Sequence, residues 1–297
     1  DTAALYGAAG ARAHEAASSA QESRNEAQSE ARAVIDGAAR YLDAVERVAA
    51  QMPFPDIERI RLQQARTHSA EAEAFMALGE FEEAGEAARL AAVGAELAVN
   101  RAMPLAARFV AADEVRQWRQ WVDETIAWSR THNAKAIIVY KEKNLLRLYD
   151  GGRTVKSYAA DMGRNRLNRK IRAGDQATPE GRYRIVGKKD RGSARYFKAL
   201  TLDYPNAEDR RRLEQAKRRG EITRRAGPGD HIQIHGEGGL GEDWTLGCVA
   251  LSNGDMQDLF SRVGVGTPVT IVGGDGQDGT FSNLARASAA RQFVRGS

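Results

Sequence analysis

The chain has 297 residues, 42% hydrophobic and 28% charged, the size and balance of a soluble globular protein with room for two domains. No stretch approaches the roughly 20 apolar residues of a membrane span, and the single cysteine, Cys248, excludes an internal disulfide, a zinc ribbon and an iron–sulfur cluster. Charge is uneven: residues 1–130 carry 14 Arg, no Lys and 21 acids, a net of −7, whereas residues 131–297 carry a net of +11, which predicts two units with different partners.

The chain opens "DTAALYGAAG", without an initiator Met or a basic-then-apolar leader. It is therefore expected to be either cytosolic and trimmed, or already cleaved from a targeting segment. Residues 1–30 offer little apolar content beyond alanine and predict a solvated helix. Val34, Ala38, Tyr41, Leu42, Val45 and Val48 then draw one apolar stripe at helical spacing. "MPFPD" at 52–56 breaks the helix, since proline cannot continue it. Asp56 is placed to cap a second helix running to about Leu78. Gly79 marks a tight turn into a third, and Pro104 is expected to end that region. A fourth helix, about 112–131, carries Trp118, Trp121, Val122, Thr125 and Trp128 on one side, read as core or domain interface. "AEAEAFMALGEFEEAGEAARLAA" resembles a tetratricopeptide helix–turn–helix, but in one copy where a solenoid needs about three. A plain antiparallel bundle is preferred, with a repeat-like binding module second.

From Asn133 the texture changes. "AKAIIVYKEKNLLRLYDGGRTVKSYAADMG" reads as three strands, with "YDGG" as a hairpin turn. "TPEGRYRIV" at 178–186, "DHIQIHG" at 230–236 and "TPVTIVG" at 267–273 read as further strands. Short helices are predicted near 206–219 and 254–263. The fold class is α+β, in three parts: a helical accessory domain over 1–131, a mostly β domain over 132–273, and a tail over 274–297 that is loose or a short helix.

A lone cysteine is either a small buried apolar residue or a nucleophile. A nucleophile needs a base. Of the five histidines, His231 and His235 fall four apart on one predicted strand and so on one sheet face. His235 closes that strand before Gly236, where a base faces a loop rather than a core. His231 is read first as structural. The glycine-rich loop "GEGGLGEDW" is short enough to return Cys248 beside His235. In "TLGC", Gly247 permits a sharp turn, and Thr245 steadies it with its hydroxyl. The amides of Leu246, Gly247 and Cys248 can then face a developing oxyanion. A nearby imidazole is expected to lower the thiol pKa.

These residues resemble the catalytic domain of the L,D-transpeptidases, the YkuD-like fold, from about Ala134 to Gly273. The family signature is His-Gly on a strand, a variable loop, then Ser/Thr-x-Gly-Cys; here it reads "IHG" at 234–236 and "TLGC" at 245–248. "GDQATPEGRYRI" at 174–185, "LTLDYPNAEDRRR" and "VGVGTPVTIV" agree with it. The resemblance implies Cys248 as acylated nucleophile and His235 as its base. It makes the Gly236 carbonyl the group that holds the imidazole, and the 246–248 amides the oxyanion hole. Two positions depart: Leu246 stands where many members carry His, and Ala250 where many carry Arg or Asn, which changes substrate contacts rather than mechanism. The implied reaction is attack on a peptidoglycan tetrapeptide stem, release of D-Ala, a thioester on Cys248, and transfer to an amine. That amine belongs to a second stem, giving a 3–3 cross-link, or to a lysine of an envelope protein. A hydrolase of the same family, either a carboxypeptidase or an amidase releasing peptidoglycan-linked protein, is the alternative; an inactive peptidoglycan-binding scaffold is a third. The implied setting is the bacterial periplasm or cell envelope. No cofactor and no metal are implied.

Other features receive plainer readings. Trp244, Tyr196, Tyr204 and His231 are candidates to line a substrate groove, with packing the plainer assignment for the tyrosines. The basic runs "RNRLNRKIR" and "RRRLEQAKRRGEITRR" are read as attracting the carboxylates of stem peptides; no pattern of stacking aromatics accompanies them, so nucleic acid is not an expected partner. The helical half is expected to position an acceptor, cover the cleft or bind another envelope protein. "GDGQDGT" at 274–280 lacks the bidentate Glu of a calcium loop and is read as a flexible turn.

Overall fold

A computed structural model describes residues 2–52, 54–190, 192 and 195–275, with side chains from residue 10 onward. The reading of the C-terminal tail, and all but the first two residues of "GDGQDGT", lie outside the described residues.

The chain forms two compact units. The first, residues 1–50 and 57–101, is built of α1 (Thr2–Gln51), α2 (Asp56–Leu78) and most of α3 (Phe81–Ala107). Residues 10–30 of α1 are exposed, as their composition predicts. The buried stripe that follows is Ala31, Ile35, Ala38, Leu42 and Val45, packed with Ala72, Ala84, Ala87 and Ala88. Tyr41, counted in the predicted stripe, is 39% exposed: it lies one residue off the 3.5-residue spacing that the buried positions keep. Gly79 takes φ +79, and the amide of Glu80 returns to the Phe75 carbonyl at 3.0 Å, so the turn after α2 closes as its glycine implies.

The second unit is residues 51–56 and 102–297. The division thus falls inside α3, and the helix over 112–131 groups with the sheet instead of with the helical half. Pro104 does not stop α3, which runs to Ala107. Ala98, Ala102 and Ala106 are all fully buried along one face, and that packing carries the last turns past the missing N–H.

The sheet has eight strands: β1 (Lys135–Tyr140), β2 (Leu145–Asp150), β3 (Arg153–Ala159), β4 (Gly181–Lys189), β5 (Ala199–Leu202), β6 (Gln233–His235), β7 (Val249–Ala250) and β8 (Pro268–Val272). Their spatial order is β3-β2-β1-β8-β4-β5-β6-β7. The pairs β1–β8 and β6–β7 are parallel and the other pairs antiparallel. β5 and β7 were not legible as strands; each is four residues or fewer, too short to show an alternation. One sheet face closes on α6 (Asn253–Arg262) through Met256 and Leu259, in a core with Ile137, Leu148, Ile185, Ile234, Val249 and Ile271. The other face carries α4 (Ala112–Thr131), whose Thr125 hydroxyl meets that of Thr270 in β8 at 2.6 Å. Central β1 is covered on both sides, which is why "KAIIVY" is a continuous apolar run instead of an alternation. Helix α5 (Ala207–Arg218) starts at a capping box, Asn206 accepting from the amides of Glu208 and Asp209.

Beneath α4 lies a buried charge cluster. Lys141 and Glu180, both fully buried, pair at 2.8 Å, and Arg108 reaches the same carboxylate at 2.6 Å. Arg169 stands 3.5 Å from it and also pairs with Glu114. The cluster joins β1, β4, the residues after α3 and the loop 164–177.

Candidate active site

The site forms where β6 and β7 run side by side. Their parallel register sets Ile234 beside Val249 and His235 beside Ala250. Ile234 and Val249 point into the core. Side chains alternate along a strand, so His235 lies on the opposite face, and Cys248, one residue before Val249, shares that face. Two very short strands thus put the thiol and the imidazole on the same side of the sheet.

His235 is 1% exposed. Its Nδ1 lies 2.6 Å from the Gly236 carbonyl oxygen. A carbonyl only accepts, so Nδ1 carries the proton and Nε2 keeps its lone pair. Burial pushes the imidazole pKa below its ordinary value, and the Gly236 carbonyl opposes this only in part, so the ring is neutral at pH 7. Tyr196 stacks on the imidazole with centroids 4.1 Å apart, and Trp244 meets it edge-on at 6.0 Å. Tyr196 and Trp244 therefore wall the His235 imidazole. Tyr204 does not: it is buried, with its hydroxyl on the Pro228 carbonyl. Gly236 is needed for a close approach, since a Cβ there would stand 2.5 Å from the Phe197 carbonyl oxygen and 2.6 Å from Asn253 Oδ1.

Cys248 is half-buried, and its Sγ bonds the His231 carbonyl at 3.6 Å. The thiol pKa is raised, not lowered as the sequence suggested. Burial pushes it up, and the Gln233 amide and the Lys170 ammonium only partly offset that. A neutral imidazole supplies no charge to stabilise a thiolate. His231 is not on the strand. Its φ of +56 turns the chain before β6, and its imidazole is 74% exposed beside Asp230. The predicted common face of His231 and His235 is therefore absent; the backbone of His231, not its ring, touches the site.

Thr245 is buried and clamps the turn at both ends. Its hydroxyl donates to the Cys248 carbonyl at 2.7 Å and accepts the Gly247 amide at 3.1 Å. The Gly247 N–H is thereby spent on the turn, which removes it from the three amides expected to meet an oxyanion. Leu246 projects, 69% exposed. Gly247 takes φ +132, and a Cβ there would lie 2.7 Å from the Ala177 carbonyl oxygen. Gly247→Ala is expected to destabilise the protein by about 1–3 kcal/mol, read as a lowered urea midpoint. An unchanged midpoint would mean that the turn is not strained as its backbone angle implies.

Two acids that sequence reading missed hold the loop over the site. Asp161 accepts from the amides of Leu240 and Gly241 and from Trp244 Nε1, at 3.0–3.2 Å. Asp243 accepts from the Met162 amide and Asn144 and pairs with Arg166 at 3.0 Å. Their partners lie some eighty residues away in sequence, so no local spacing signals them. Lys170 was missed likewise. It is buried, pairs with Asp175 at 2.7 Å and sits 5.8 Å from the Tyr204 ring centroid. Asp175 also takes the amides of Ile171, Arg172 and Ala177, so it folds the loop that presents the Ala177 carbonyl to Gly247. Among the described residues no group of three or more His, Cys, Asp or Glu is arranged to hold a metal ion, and no helix is long and apolar enough to cross a membrane.

Residues 134–271 match the family model YkuD, the L,D-transpeptidase catalytic domain. Putative L,D-transpeptidase YafK of Escherichia coli, in strain K12 and in O157:H7, is 28% identical over 131 residues, which is 43% of this chain and 46% of the relative. The chain thus spans less than half the length of these curated relatives. Among solved structures, Bdellovibrio bacteriovorus Bd1075 is similar at 22% identity and TM-score 0.36, covering 52% of this chain and 55% of that one. An L,D-transpeptidase from Mycobacterium smegmatis is similar at 14% identity and TM-score 0.29, covering 46% and 58%.

Proposed function

Starting from residues 134–271 as a YkuD L,D-transpeptidase catalytic domain, we propose that the chain is a cysteine acyltransferase acting on peptidoglycan stem peptides in the bacterial periplasm or envelope. The observation that supports this is the β6–β7 register, by which Cys248 and His235 share one side of the sheet, together with the Gly236 carbonyl that holds the imidazole. Cys248 Sγ turns from the His231 carbonyl toward Nε2 of His235 and gives up its proton there. Sulfur attacks the carbonyl carbon between the third residue's L-centre and D-Ala. The negative oxygen that forms faces the amides of Leu246 and Cys248. The C–N bond breaks, and the leaving D-Ala amine takes the proton back from the imidazolium. A thioester remains on Cys248. An incoming amine attacks it, passes its proton to His235, and restores the thiol. Water in place of the amine gives hydrolysis. The Gly236 carbonyl orients the ring as a carboxylate does in Ser-His-Asp sites, but without adding a charge.

The test is product analysis by mass spectrometry on defined disaccharide-tetrapeptide muropeptides. Loss of D-Ala with dimer formation supports transfer. Loss of D-Ala without dimers makes the chain a carboxypeptidase. An intact substrate and no adduct on Cys248 would sink the catalytic reading and leave a binding role.

A pH dependence follows from the site. The base must be neutral to accept the thiol proton. Because His235 titrates below the ordinary imidazole value of 6.5, the acid limb of kcat/KM is expected below pH 6.5. A limb centred above that value in a pH–rate profile would contradict a buried, carbonyl-held base.

A further inference from the structure

We propose that Arg172 and Arg225 form a carboxylate subsite for the donor stem, in a groove whose walls run on in sequence toward the thiol. The inference rests on the stem-peptide reading above and names how the stem is held.

The groove has a volume of about 630 Å³ and lies between the loop 220–227 and Arg172–Ala173. Its two walls are tied by the Ala173 amide, which donates to the Gly227 carbonyl at 2.8 Å. Both walls lead directly to the nucleophile. On one side, the chain passes from Gly227 through Pro228 and Gly229 to His231, whose carbonyl bonds Cys248 Sγ. That is four residues, at most about 14 Å of chain. On the other side, Arg172 follows Lys170 by two residues, and Lys170 is close enough for its charge to act on the thiol.

The groove is left cationic. Its one acid, Glu221, is occupied by Arg219 through contacts of 2.6 and 3.1 Å. Arg172 spends one N–H on the Ala173 carbonyl at 3.1 Å, and among the described residues neither Arg172 nor Arg225 has a carboxylate partner. Two uncompensated guanidinium groups facing one cavity suit a ligand bearing carboxylates, which they bind as forked, charge-assisted pairs. A peptide extends about 3.3–3.6 Å per residue, so a carboxylate within a few residues of the attacked carbonyl reaches them. A nucleic acid would bring the same negative charge, but the groove offers it no aromatic ring to stack on: its remaining walls are Ala, Gly, Ile and Thr.

The experiment measures Kd on the full chain carrying Cys248→Ala, for a tetrapeptide stem and for the same stem with its carboxylates amidated. The acidic stem is expected to bind about tenfold tighter, the scale of one or two partly screened charged contacts. Arg172→Gln and Arg225→Gln should each erode that preference, and the double variant should abolish it. In the Cys248 background, alkylation by iodoacetamide, a small neutral probe, is expected to be unchanged in the arginine variants, which establishes that the site is still folded. No preference for the acidic stem, or a preference that survives in the double variant, overturns the subsite. So does a single-stranded oligonucleotide that binds through the same arginines while the stem does not. A preference that depends on both arginines in a protein that turns over no stem upholds the subsite and refutes acyl transfer instead.

Discussion

Cys248→Ser is expected to lower kcat/KM for the donor stem by at least about 10³-fold while leaving the urea midpoint close to that of the unaltered protein. The thiol is half-buried and bonds one carbonyl, that of His231. A serine hydroxyl fits the same space and makes the same bond, so folding is not at issue. The chemistry is. In the proposed mechanism the residue must lose a proton to a neutral imidazole whose hydrogen-bond partner is an uncharged carbonyl. A thiol gives up that proton within reach of neutral pH even when burial raises its pKa; an alcohol does not. Removing a nucleophile from a comparable unit has cost far more than this lower bound. The readout is D-Ala release together with the mass of the acyl adduct, and a serine variant retaining a tenth of the activity would mean that Cys248 is not the acylated atom.

The second large effect concerns stability. Glu180→Ala is expected to cost about 3–5 kcal/mol, because it leaves Lys141 and Arg108 buried without their shared counter-charge. Burial alone would push the Glu180 carboxyl up; Arg108, Lys141 and Arg169 outweigh it and hold the group well below its ordinary value of 4.5. A depressed folded pKa gives stabilisation that is fully present above the unfolded value and is lost only as pH falls through the folded one. The contribution of the pair therefore persists unchanged from neutral pH down to about 4.5 and fades only in stronger acid. Urea midpoints of the wild-type chain and of the isosteric Glu180→Gln, measured between pH 5 and 8, should differ by a constant amount. A gap that closes as the pH is lowered from 8 to 5 would show that Glu180 takes up a proton there.

The motifs of the site were legible because they are local. His235–Gly236 and Thr245–Cys248 are short stretches, and Gly236, Gly247 and Thr245 each answer a need of a close approach or a sharp turn. Helices α2 and α4 were legible because apolar spacing and turn signals coincide over twenty residues. What failed has equally physical reasons. Reading His231 as a strand residue assumed that "DHIQIHG" stays extended throughout, whereas the strand is only Gln233–His235 and His231 turns with φ +56. The thiol pKa was read from the imidazole alone, without the burial that outweighs it. Asp161, Asp243 and Lys170 act on segments far off in sequence or through a folded loop, and no periodicity records such contacts. Pro104 was read by its own propensity, while the alanine face around it decides the helix.

Helix α4 lies outside the stretch that matches the family, which begins at residue 134. Yet Trp118 sits against Gly273 with no room for a side chain there, and the hydroxyls of Thr125 and Ser129 are bonded to Thr270 and to the Ala134 carbonyl. Glu124 pairs with Arg182 on β4, and Glu114 with Arg169. Cutting the chain at the boundary of that stretch would bare Trp118's bed, take from Thr270 its hydroxyl partner and take from Arg169 the nearer of its two carboxylates. Recombination that moved residues 134–271 alone into another gene would deliver a domain missing one wall. The heritable module of this protein is therefore larger than the stretch that matches the family model: that stretch and its tryptophan-bearing helix must travel together.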